Sequence, residues 1–290
     1  MRLSLALLLA GCLAAPAQSQ YAPVTPTVAA IWPNGAPGSE ARRTEPEIAK
    51  DYWVANVHNP SLTIYRPARQ NGAALIVIPG GAHKQIVWTT EGVNVGPALN
   101  RYGLTVFVLK YRLARETGSR YTIDDAAADV RRSIRWVRAH AQDYGVDPAR
   151  VGIMGFSAGG ELVSLVADNR ATTQSSPKDA VDRFSDRPDF QVLVFPGPLG
   201  VPANDVAHAP DAFVVAGSLD ECCAEPAVTL YEQLRKAGRP AELHMYAGAG
   251  HAFNLDESNR ISILHWPDRL ADWLADEGWL DGKRATKSGR

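Results

Sequence analysis

One short motif, Gly-Phe-Ser-Ala-Gly-Gly at residues 155–160, constrains the fold of this chain more than any other feature. Residues 150–154 before it are apolar and β-branched, which predicts a buried strand, and residues 161–167 after it predict a helix. Ser157 therefore lies at a sharp strand-to-helix turn, where the flanking glycines leave room for the neighbouring strand and helix. The turn holds the hydroxyl at the positive end of a helix dipole, which predicts a nucleophile facing a developing oxyanion. The alternative interpretation is a Gly-rich packing turn.

Apolar strand candidates alternate with amphipathic helix candidates along most of the chain. Strands are predicted at residues 61–65, 73–78, 104–109, 151–154, 190–195, 212–215 and 241–246, and helices at 122–144, 226–238 and 267–277. Thr122 and Asp125 form a capping-box pattern at the start of the longest helix. This alternation predicts an α/β fold with a mostly parallel sheet covered on both faces. Sites in such sheets lie at the carboxyl ends of the strands, where Ser157 is already placed.

A serine hydroxyl needs a base, and His251 is the strongest candidate among the 7 histidines. His251 lies in the small-residue loop 247–253, directly after the last predicted strand, so its imidazole reaches over the strand ends. His244 and His140 fall inside a predicted strand and a predicted helix, which favours structural roles. The alternative for His251 is a loop histidine with local hydrogen bonds only.

The acid that orients the imidazole is predicted to be Asp220, which closely follows the strand at residues 212–215. The resulting chain order of serine, acid and histidine differs from the orders of chymotrypsin and subtilisin. Glu221 is the competing acid, and Asp220 is favoured because it lies closer to the strand end. The alternative for either residue is a solvated loop carboxylate.

Backbone donors for an oxyanion are predicted at two places. The amide of Ala158, the residue after the nucleophile, supplies one donor. The loop at residues 79–83, Pro-Gly-Gly-Ala-His, follows a predicted strand directly, and its glycines allow close backbone approach to a tetrahedral intermediate. A plain turn is the alternative.

The N-terminal residues predict export. Residues 1–20 combine Arg2, an apolar stretch and the A-x-A-like site at residues 15–17, which is typical of a signal peptide. Residues 9–12, Leu-Ala-Gly-Cys, resemble a bacterial lipoprotein box, in which Cys12 is lipidated. We therefore expect a periplasmic or secreted protein, or one anchored to a membrane by lipid at Cys12; a buried N-terminal helix is the alternative. Residues 21–60 are expected to form an extended arm, followed by one domain at residues 61–290.

Charge and cysteine content exclude several classes of protein. The formal net charge of -1 gives no basic surface for nucleic acid or acidic lipid, and no run of roughly 18 apolar residues follows the N-terminal segment. The adjacent Cys222 and Cys223 either form a vicinal ring or stay reduced, and one pair offers too few ligands for zinc. Two small buried side chains in a loop are favoured over a redox role. No metal or cofactor is predicted.

Six segments carry a family resemblance. They are Ile31-Trp-Pro-Asn-Gly-Ala-Pro37, Val77-Ile-Pro-Gly-Gly81, Glu91-Gly92, Val108-Leu-Lys-Tyr-Arg-Leu113, the stretch from Asp147 to Gly160, and Gly250-His-Ala-Phe253. The chain resembles the α/β-hydrolase superfamily, and within it the exported carbohydrate esterases described as acetyl xylan esterase-like. The resemblance implies an α/β-hydrolase fold and hydrolysis of carboxylesters on O-acetylated sugars by a Ser-His-Asp mechanism. It also implies that the amides of Gly81 and Ala82 join Ala158 in the oxyanion hole.

Two departures from the family pattern bear on substrate and geometry. Ala82 replaces a usual third glycine, with His83 where an aromatic residue is common, and Glu221-Cys-Cys223 replaces a usual Pro-Val segment.

Residues 196–211 are too few for a large helical lid, so we expect an open site suited to a small or oligosaccharide ester. His83 and Trp88 are predicted to contact this substrate, Trp88 by stacking on a sugar ring. The alternative for Trp88 is an aromatic side chain packed beneath the loop that follows His83. The alternatives to an esterase function are a serine peptidase of the prolyl-oligopeptidase type and a catalytically silent binding module on the same fold.

Overall fold

The computed structural model describes residues 25–170, 179–255 and 260–283, and these residues form one large and one small β-sheet with flanking helices. The strands are β1 (Thr27–Ala30), β2 (Ile48–Lys50), β3 (Trp53–Ala55), β4 (Ser61–Tyr65), β5 (Ala74–Ile78), β6 (Ile86–Val87), β7 (Thr105–Lys110), β8 (Val151–Phe156), β9 (Phe190–Val194), β10 (Asp211–Gly217) and β11 (Ala241–Tyr246). The α-helices are α1 (Val95–Asn100), α2 (Ile123–Ala139), α3 (Ala158–Ala167), α4 (Ala224–Lys236), α5 (Ile261–Leu264) and α6 (Trp266–Asp276).

The large sheet has eight strands in the order β1-β4-β7-β5-β8-β9-β10-β11. The six strands from β7 to β11 in this order pair in parallel, while β1, β4 and β7 are joined by antiparallel pairing. The predicted α/β class with a mostly parallel sheet is therefore confirmed. The parallel arrangement brings the loops after β5, β8, β10 and β11 to a single edge of the sheet.

Both faces of the sheet are buried, because alternate strand side chains enter two separate hydrophobic clusters. In β5, Ile76 and Ile78 belong to the cluster beneath α2, α3 and α4, while Leu75 and Val77 belong to the cluster with α1 and α6. All four side chains are fully buried. This two-sided burial explains why the central strands read as largely apolar runs without alternation.

Three helices differ from their predicted bounds by more than one residue, and one of them, α3, begins at Ala158 and not at residue 161. The capping box of α2 forms as predicted, with the Asp125 amide donating to Thr122 Oγ1, but the helix ends at Ala139, before residue 144. Residues 140–145 form turns instead, closed by the left-handed Gly145. Helix α4 begins at Ala224, so Pro226 is its third residue, not its first; a proline is tolerated there because first-turn amides have no intrahelical acceptor.

The N-terminal segment is joined to the large sheet and to α2. Strand β1 pairs with β4 as the outermost strand, while β2, β3 and β6 form the small sheet. Buried Arg112 makes two hydrogen bonds of 2.9 Å to the carboxylate of Asp129 and one of 2.7 Å to the carbonyl of Pro37. Trp32 Nε1 donates to the same aspartate. These charge-assisted bonds fasten the segment to α2, since a buried pair is stabilising only when its hydrogen bonds are all made.

The predicted export signal at residues 1–20, including Cys12, lies outside the described residues. Among the helices that the structure does describe, none combines the length and the apolar character needed to cross a membrane.

Candidate active site

Ser157 occupies the turn between β8 and α3 with φ of 50° and ψ of -117°. This backbone conformation is strained for any residue other than glycine. Its amide donates to the carbonyl of Val194 at 2.9 Å, which helps to hold the strained turn against β9. A side chain at Gly155 would collide with the backbone of Gly159, and one at Gly159 would collide with the carbonyl of Ile78. The glycines of the motif are thus required by close backbone packing, as the sequence predicts.

The structure brings Ser157, His251 and Asp220 into one hydrogen-bonded chain. Ser157 Oγ lies 2.9 Å from His251 Nε2, and His251 Nδ1 lies 2.7 Å from Asp220 Oδ2. Asp220 is 3% exposed, whereas His251 and Glu221 are exposed. With Nδ1–H donating to the carboxylate, Nε2 is left to accept the hydroxyl proton of Ser157. The geometry therefore pairs the histidine with Asp220 and not with the competing Glu221.

The position of Asp220 is fixed by the turn between β10 and α4. Its backbone carbonyl accepts the amides of Cys223 at 3.3 Å and Ala224 at 3.1 Å, and its Oδ1 accepts the amide of Cys222 at 3.3 Å. The two cysteines are joined in a disulfide, the vicinal ring that the sequence allows. The carboxylate is therefore held on both oxygens, one by His251 and one by the turn.

The predicted oxyanion loop lies directly beside the nucleophile. A Cβ placed on Gly80 would lie 2.9 Å from Ser157 Cβ, and the loop continues through three positive φ values at Gly81, Ala82 and His83. Within the described residues, the amides of Gly81 and Ala82 donate no hydrogen bond to the protein. Unpaired backbone amides beside a serine are the donors that stabilise a tetrahedral oxyanion.

Two buried side chains support this loop from below, and sequence reasoning assigned neither of them a role. The carboxylate of Glu91 accepts the amide of Gly80 at 2.7 Å, and Tyr111 donates its hydroxyl to the carbonyl of Pro79 at 2.7 Å. Burial raises the pKa of Glu91 to about 7, although the hydrogen bond from Gly80 acts in the opposite direction. Burial also raises the pKa of Tyr111, so its hydroxyl stays a proton donor. The pair Glu91-Gly92 was noticeable in the sequence only as part of the family resemblance.

The predicted substrate contact through His83 is wrong. The side chain of His83 is fully buried, and its Nε2 lies 2.7 Å from Glu161 Oε2 in α3. Glu161 Oε1 also accepts the amide of Leu199 at 3.3 Å. His83 has a positive φ and its ring lies beneath the loop, where Nε2 pairs with the buried carboxylate while Nδ1 has no hydrogen-bond partner among the described residues. His83 thus ties the loop to α3 and does not line the open site.

Trp88 is partly buried and packs against both hydrophobic clusters. The ammonium of Lys110 lies 4.7 Å from the centre of its ring, within the range of a cation–π contact. This placement agrees with the packing alternative, and sugar stacking by Trp88 stays a prediction.

The structure combines a serine at a strand-to-helix turn, an acid and a histidine after later strands, and a mostly parallel sheet between helices, which is the arrangement of the α/β-hydrolase fold. The chain has this fold, and its relatives and structural neighbours include carboxylesterases, among them an acetylxylan esterase.

A family model described as BD-FAE matches residues 62–194, which include Ser157 and the oxyanion loop. The chain is 33% identical over 135 residues to an acetylxylan esterase of Xylanibacter ruminicola, a match that covers 47% of this chain and 25% of that protein. It is 25% identical over 158 residues to an ethyl acetate hydrolase of Pseudomonas putida, covering 52% of this chain and 46% of the relative. The chain thus spans less than half the length of either relative.

Among solved structures, the acetyl ester-xyloside bifunctional hydrolase from Caldicellulosiruptor lactoaceticus superimposes with a TM-score of 0.71 at 26% identity. The superposition covers 90% of this chain and 99% of the other. A thermophilic esterase from Thermogutta terrifontis superimposes with a TM-score of 0.66 at 20% identity, covering 84% of this chain and 96% of that one, which shows a shared fold.

Proposed function

We propose that this protein is a serine carboxylester hydrolase that removes acetyl or other short acyl groups from O-acylated saccharides such as xylan fragments. The observation that carries the proposal is the chain of hydrogen bonds from Ser157 through His251 to Asp220, set beside a loop with unpaired amides. The similarity to an acetylxylan esterase and to an acetyl ester-xyloside hydrolase supports the acetyl group and the sugar.

In the proposed reaction, His251 Nε2 takes the hydroxyl proton of Ser157 as the serine oxygen attacks the ester carbonyl. The amides of Gly81, Ala82 and Ala158 stabilise the negative charge on the carbonyl oxygen of the tetrahedral intermediate. The protonated imidazole then donates its proton to the departing sugar oxygen, which leaves as a hydroxyl group, and an acyl-enzyme remains. Water, deprotonated by the same imidazole, attacks the acyl carbonyl; the bond from Ser157 Oγ to the acyl carbon then breaks, the imidazole returns the proton to Oγ, and the carboxylic acid is released.

The open surroundings of the strand ends support short acyl groups. Between β9 and β10, residues 195–210 are all described, and their regular structure is limited to one 3₁₀ turn, Val206–His208. A long acyl chain gains about 0.8 kcal/mol for each methylene removed from water, and this gain requires an enclosing apolar wall. The segment between β9 and β10 supplies no helical lid of that kind.

A hydrolysis panel tests the function. Specificity constants are measured for acetyl, butyryl and octanoyl esters of one alcohol, for acetylated xylo-oligosaccharides, for feruloyl esters and for peptides. We expect acetyl esters and acetylated xylo-oligosaccharides to be cleaved best. A preference that rises with chain length would indicate an apolar acyl pocket, and cleavage of peptides instead of esters would favour the peptidase alternative.

We further propose that the protein is exported, on the pattern of residues 1–20. Mass spectrometry of the protein isolated from its native cells tests this. Cleavage near residue 17 supports a secreted or periplasmic form, a diacylated N-terminal Cys12 supports a lipid anchor, and an intact Met1 contradicts both.

A further inference from the structure

The vicinal disulfide lies against the acid and the base of the proposed triad. Cys222 Sγ is 3.3 Å from Asp220 Oδ1 and 3.6 Å from His251 Nδ1. Cys222 is exposed and open to a soluble reductant, whereas Cys223 is 1% exposed. One ligand atom from each of these four residues lies within 4.8 Å of all the others. The cysteine pair alone is too small a ligand set for zinc, but the fold adds a carboxylate and an imidazole to it.

We propose that reduction of the Cys222–Cys223 disulfide creates a binding site for a thiophilic divalent cation, for which Zn²⁺ is the probe. The ligands are the two thiolates, the carboxylate of Asp220 and Nδ1 of His251. A set of two sulfurs, one nitrogen and one oxygen suits zinc, because thiolate and imidazole ligands select it over magnesium or calcium.

The present geometry is close to the one that zinc requires. A tetrahedral site with Zn–S of about 2.3 Å and Zn–N or Zn–O of about 2.1 Å places neighbouring ligand atoms about 3.4 to 3.8 Å apart. The distances of 3.6 Å and 3.3 Å from Cys222 Sγ to His251 Nδ1 and Asp220 Oδ1 lie near this range. Reduction frees both side chains to rotate, and the two sulfurs must move apart to about 3.8 Å to share one ion. The 2.7 Å contact between His251 Nδ1 and Asp220 Oδ2 opens by about 0.7 Å to admit the ion.

The chemical step is balanced by a phosphine reductant. The phosphine gives two electrons to the disulfide, the S–S bond breaks, and water supplies the oxygen of the phosphine oxide and the two protons of the thiols. Zinc then displaces the thiol protons to solvent, since the thiolate is the form that binds metal. Air or a soluble disulfide re-forms the S–S bond by oxidising the two thiols.

Metal binding at this position removes the base, a consequence that rests on the proposed function. A neutral imidazole bound to zinc through Nδ1 carries its proton on Nε2. His251 then presents an N–H to Ser157, where the reaction requires an acceptor. This is the wrong tautomer for general-base catalysis, and an imidazole held in the wrong tautomer lowers turnover on the order of ten-thousand-fold. The reduced, zinc-loaded protein is therefore expected to be inactive and the oxidised protein active.

The test uses Co²⁺ as a spectroscopic probe and Zn²⁺ as the inhibitor. The full-length protein is reduced with a phosphine, desalted without oxygen, and titrated with Co²⁺ beside an untreated sample. We expect one equivalent of tetrahedral, thiolate-bound cobalt in the reduced protein only, with visible absorption that Zn²⁺ displaces. Esterase rates are then followed against Zn²⁺ for both forms, each relative to its own metal-free rate. Reoxidation after chelation should restore the activity.

The double variant Cys222→Ser/Cys223→Ser is the matched control, and Cys222→Ser alone serves if the double variant does not fold. The double variant should lose the thiolate absorption and the reduction-dependent inhibition by Zn²⁺. Cys222→Ser keeps one thiol and cannot form the disulfide, so its cobalt spectrum and its inhibition by Zn²⁺ should be the same with and without the phosphine. Equal cobalt spectra for reduced and oxidised protein would overturn the proposal. So would equal zinc inhibition of wild type and double variant, since Asp220 and His251 would then account for it alone. A protein with no esterase activity in either state would contradict the proposed function, and the cobalt spectrum would still decide the metal site.

Discussion

Replacing Glu91 by glutamine tests how the oxyanion loop is supported. The carboxylate of Glu91 is 4% exposed and accepts the amide of Gly80 at 2.7 Å. Glutamine has nearly the same shape, and its side-chain carbonyl can accept the same hydrogen bond without a charge. The variant therefore keeps the contact to the loop and removes only the cost of burying an ionised group.

The magnitude follows from the pKa of Glu91, which burial raises from 4.5 to about 7. This difference corresponds to about 3 kcal/mol at 1.36 kcal/mol per pKa unit. Below pH 4.5 the side chain is protonated in the folded and unfolded chains alike, so its ionisation does not lower the free energy of unfolding. As the pH rises towards 7, the unfolded chain loses the proton first, so the free energy of unfolding falls; above pH 7 the loss is complete. Glu91→Gln should thus be more stable by up to about 3 kcal/mol at pH 8 and no more stable at pH 4.5.

Chemical denaturation between pH 4.5 and 8.5 measures this difference for wild type and Glu91→Gln. Asp168→Asn is a matched control, because burial also raises the pKa of Asp168 to about 7 and its Oδ1 accepts Gln191 Nε2 at 2.6 Å, away from the loop. Both variants should flatten the pH dependence. Of the three variants, only Glu91→Leu should lower kcat, because it leaves the Gly80 amide without an acceptor. A Glu91→Gln protein that is less stable at pH 8 than at pH 4.5, relative to wild type, would refute the reasoning.

Three further substitutions test the site. Ser157→Ala should lower kcat on the order of a million-fold with unchanged unfolding, and retained activity would exclude Ser157 as nucleophile. Asp220→Asn should cost on the order of ten-thousand-fold and Glu221→Gln little, since only Asp220 contacts the imidazole at 2.7 Å; the reverse result would move the acid by one residue. Gly80→Ala places a Cβ 2.7 Å from the carbonyl of Phe156, so the loop must shift. We expect kcat to fall about a hundredfold or more with little change in KM, and an unchanged kcat would show that the loop is not the oxyanion hole.

The fold was predictable from sequence where strands are buried on both faces. Each of the seven predicted strands corresponds to a strand of the large sheet. The five central strands, from β7 to β10 in the sheet order, are largely apolar runs bounded by turns, whereas β4 and β11 alternate polar and apolar residues. The strands that were missed, β1, β2, β3 and β6, have four residues or fewer, and β1 and β2 are largely exposed. Their pairing depends on contacts with distant parts of the chain, which local pattern does not contain.

The meeting of polar side chains at one edge of the sheet was predictable where a residue follows the end of a strand; the catalytic roles of these residues stay predictions. Ser157, Asp220 and His251 all do, and a parallel sheet necessarily brings such positions together. The misassignment of His83 had a different origin. Whether its ring faces the substrate or the core depends on the sign of φ at one residue and on a partner, Glu161, far along the chain. Glu91 was missed for the same reason, since its burial and its contact with Gly80 exist only in three dimensions.

The outermost position of β1 has a practical consequence for attaching the molecule to a surface. The described chain begins beside β1 at one margin of the large sheet, while Asp220 and His251 follow β10 and β11 at the other. With strands about 4.8 Å apart, seven intervals separate these margins by roughly 34 Å. A bead or fusion partner coupled upstream of residue 25 would therefore be attached at the β1 margin of the sheet, remote from these two loops. The loops that carry Asp220 and His251 should then stay accessible in the immobilised protein, even to an insoluble polymer.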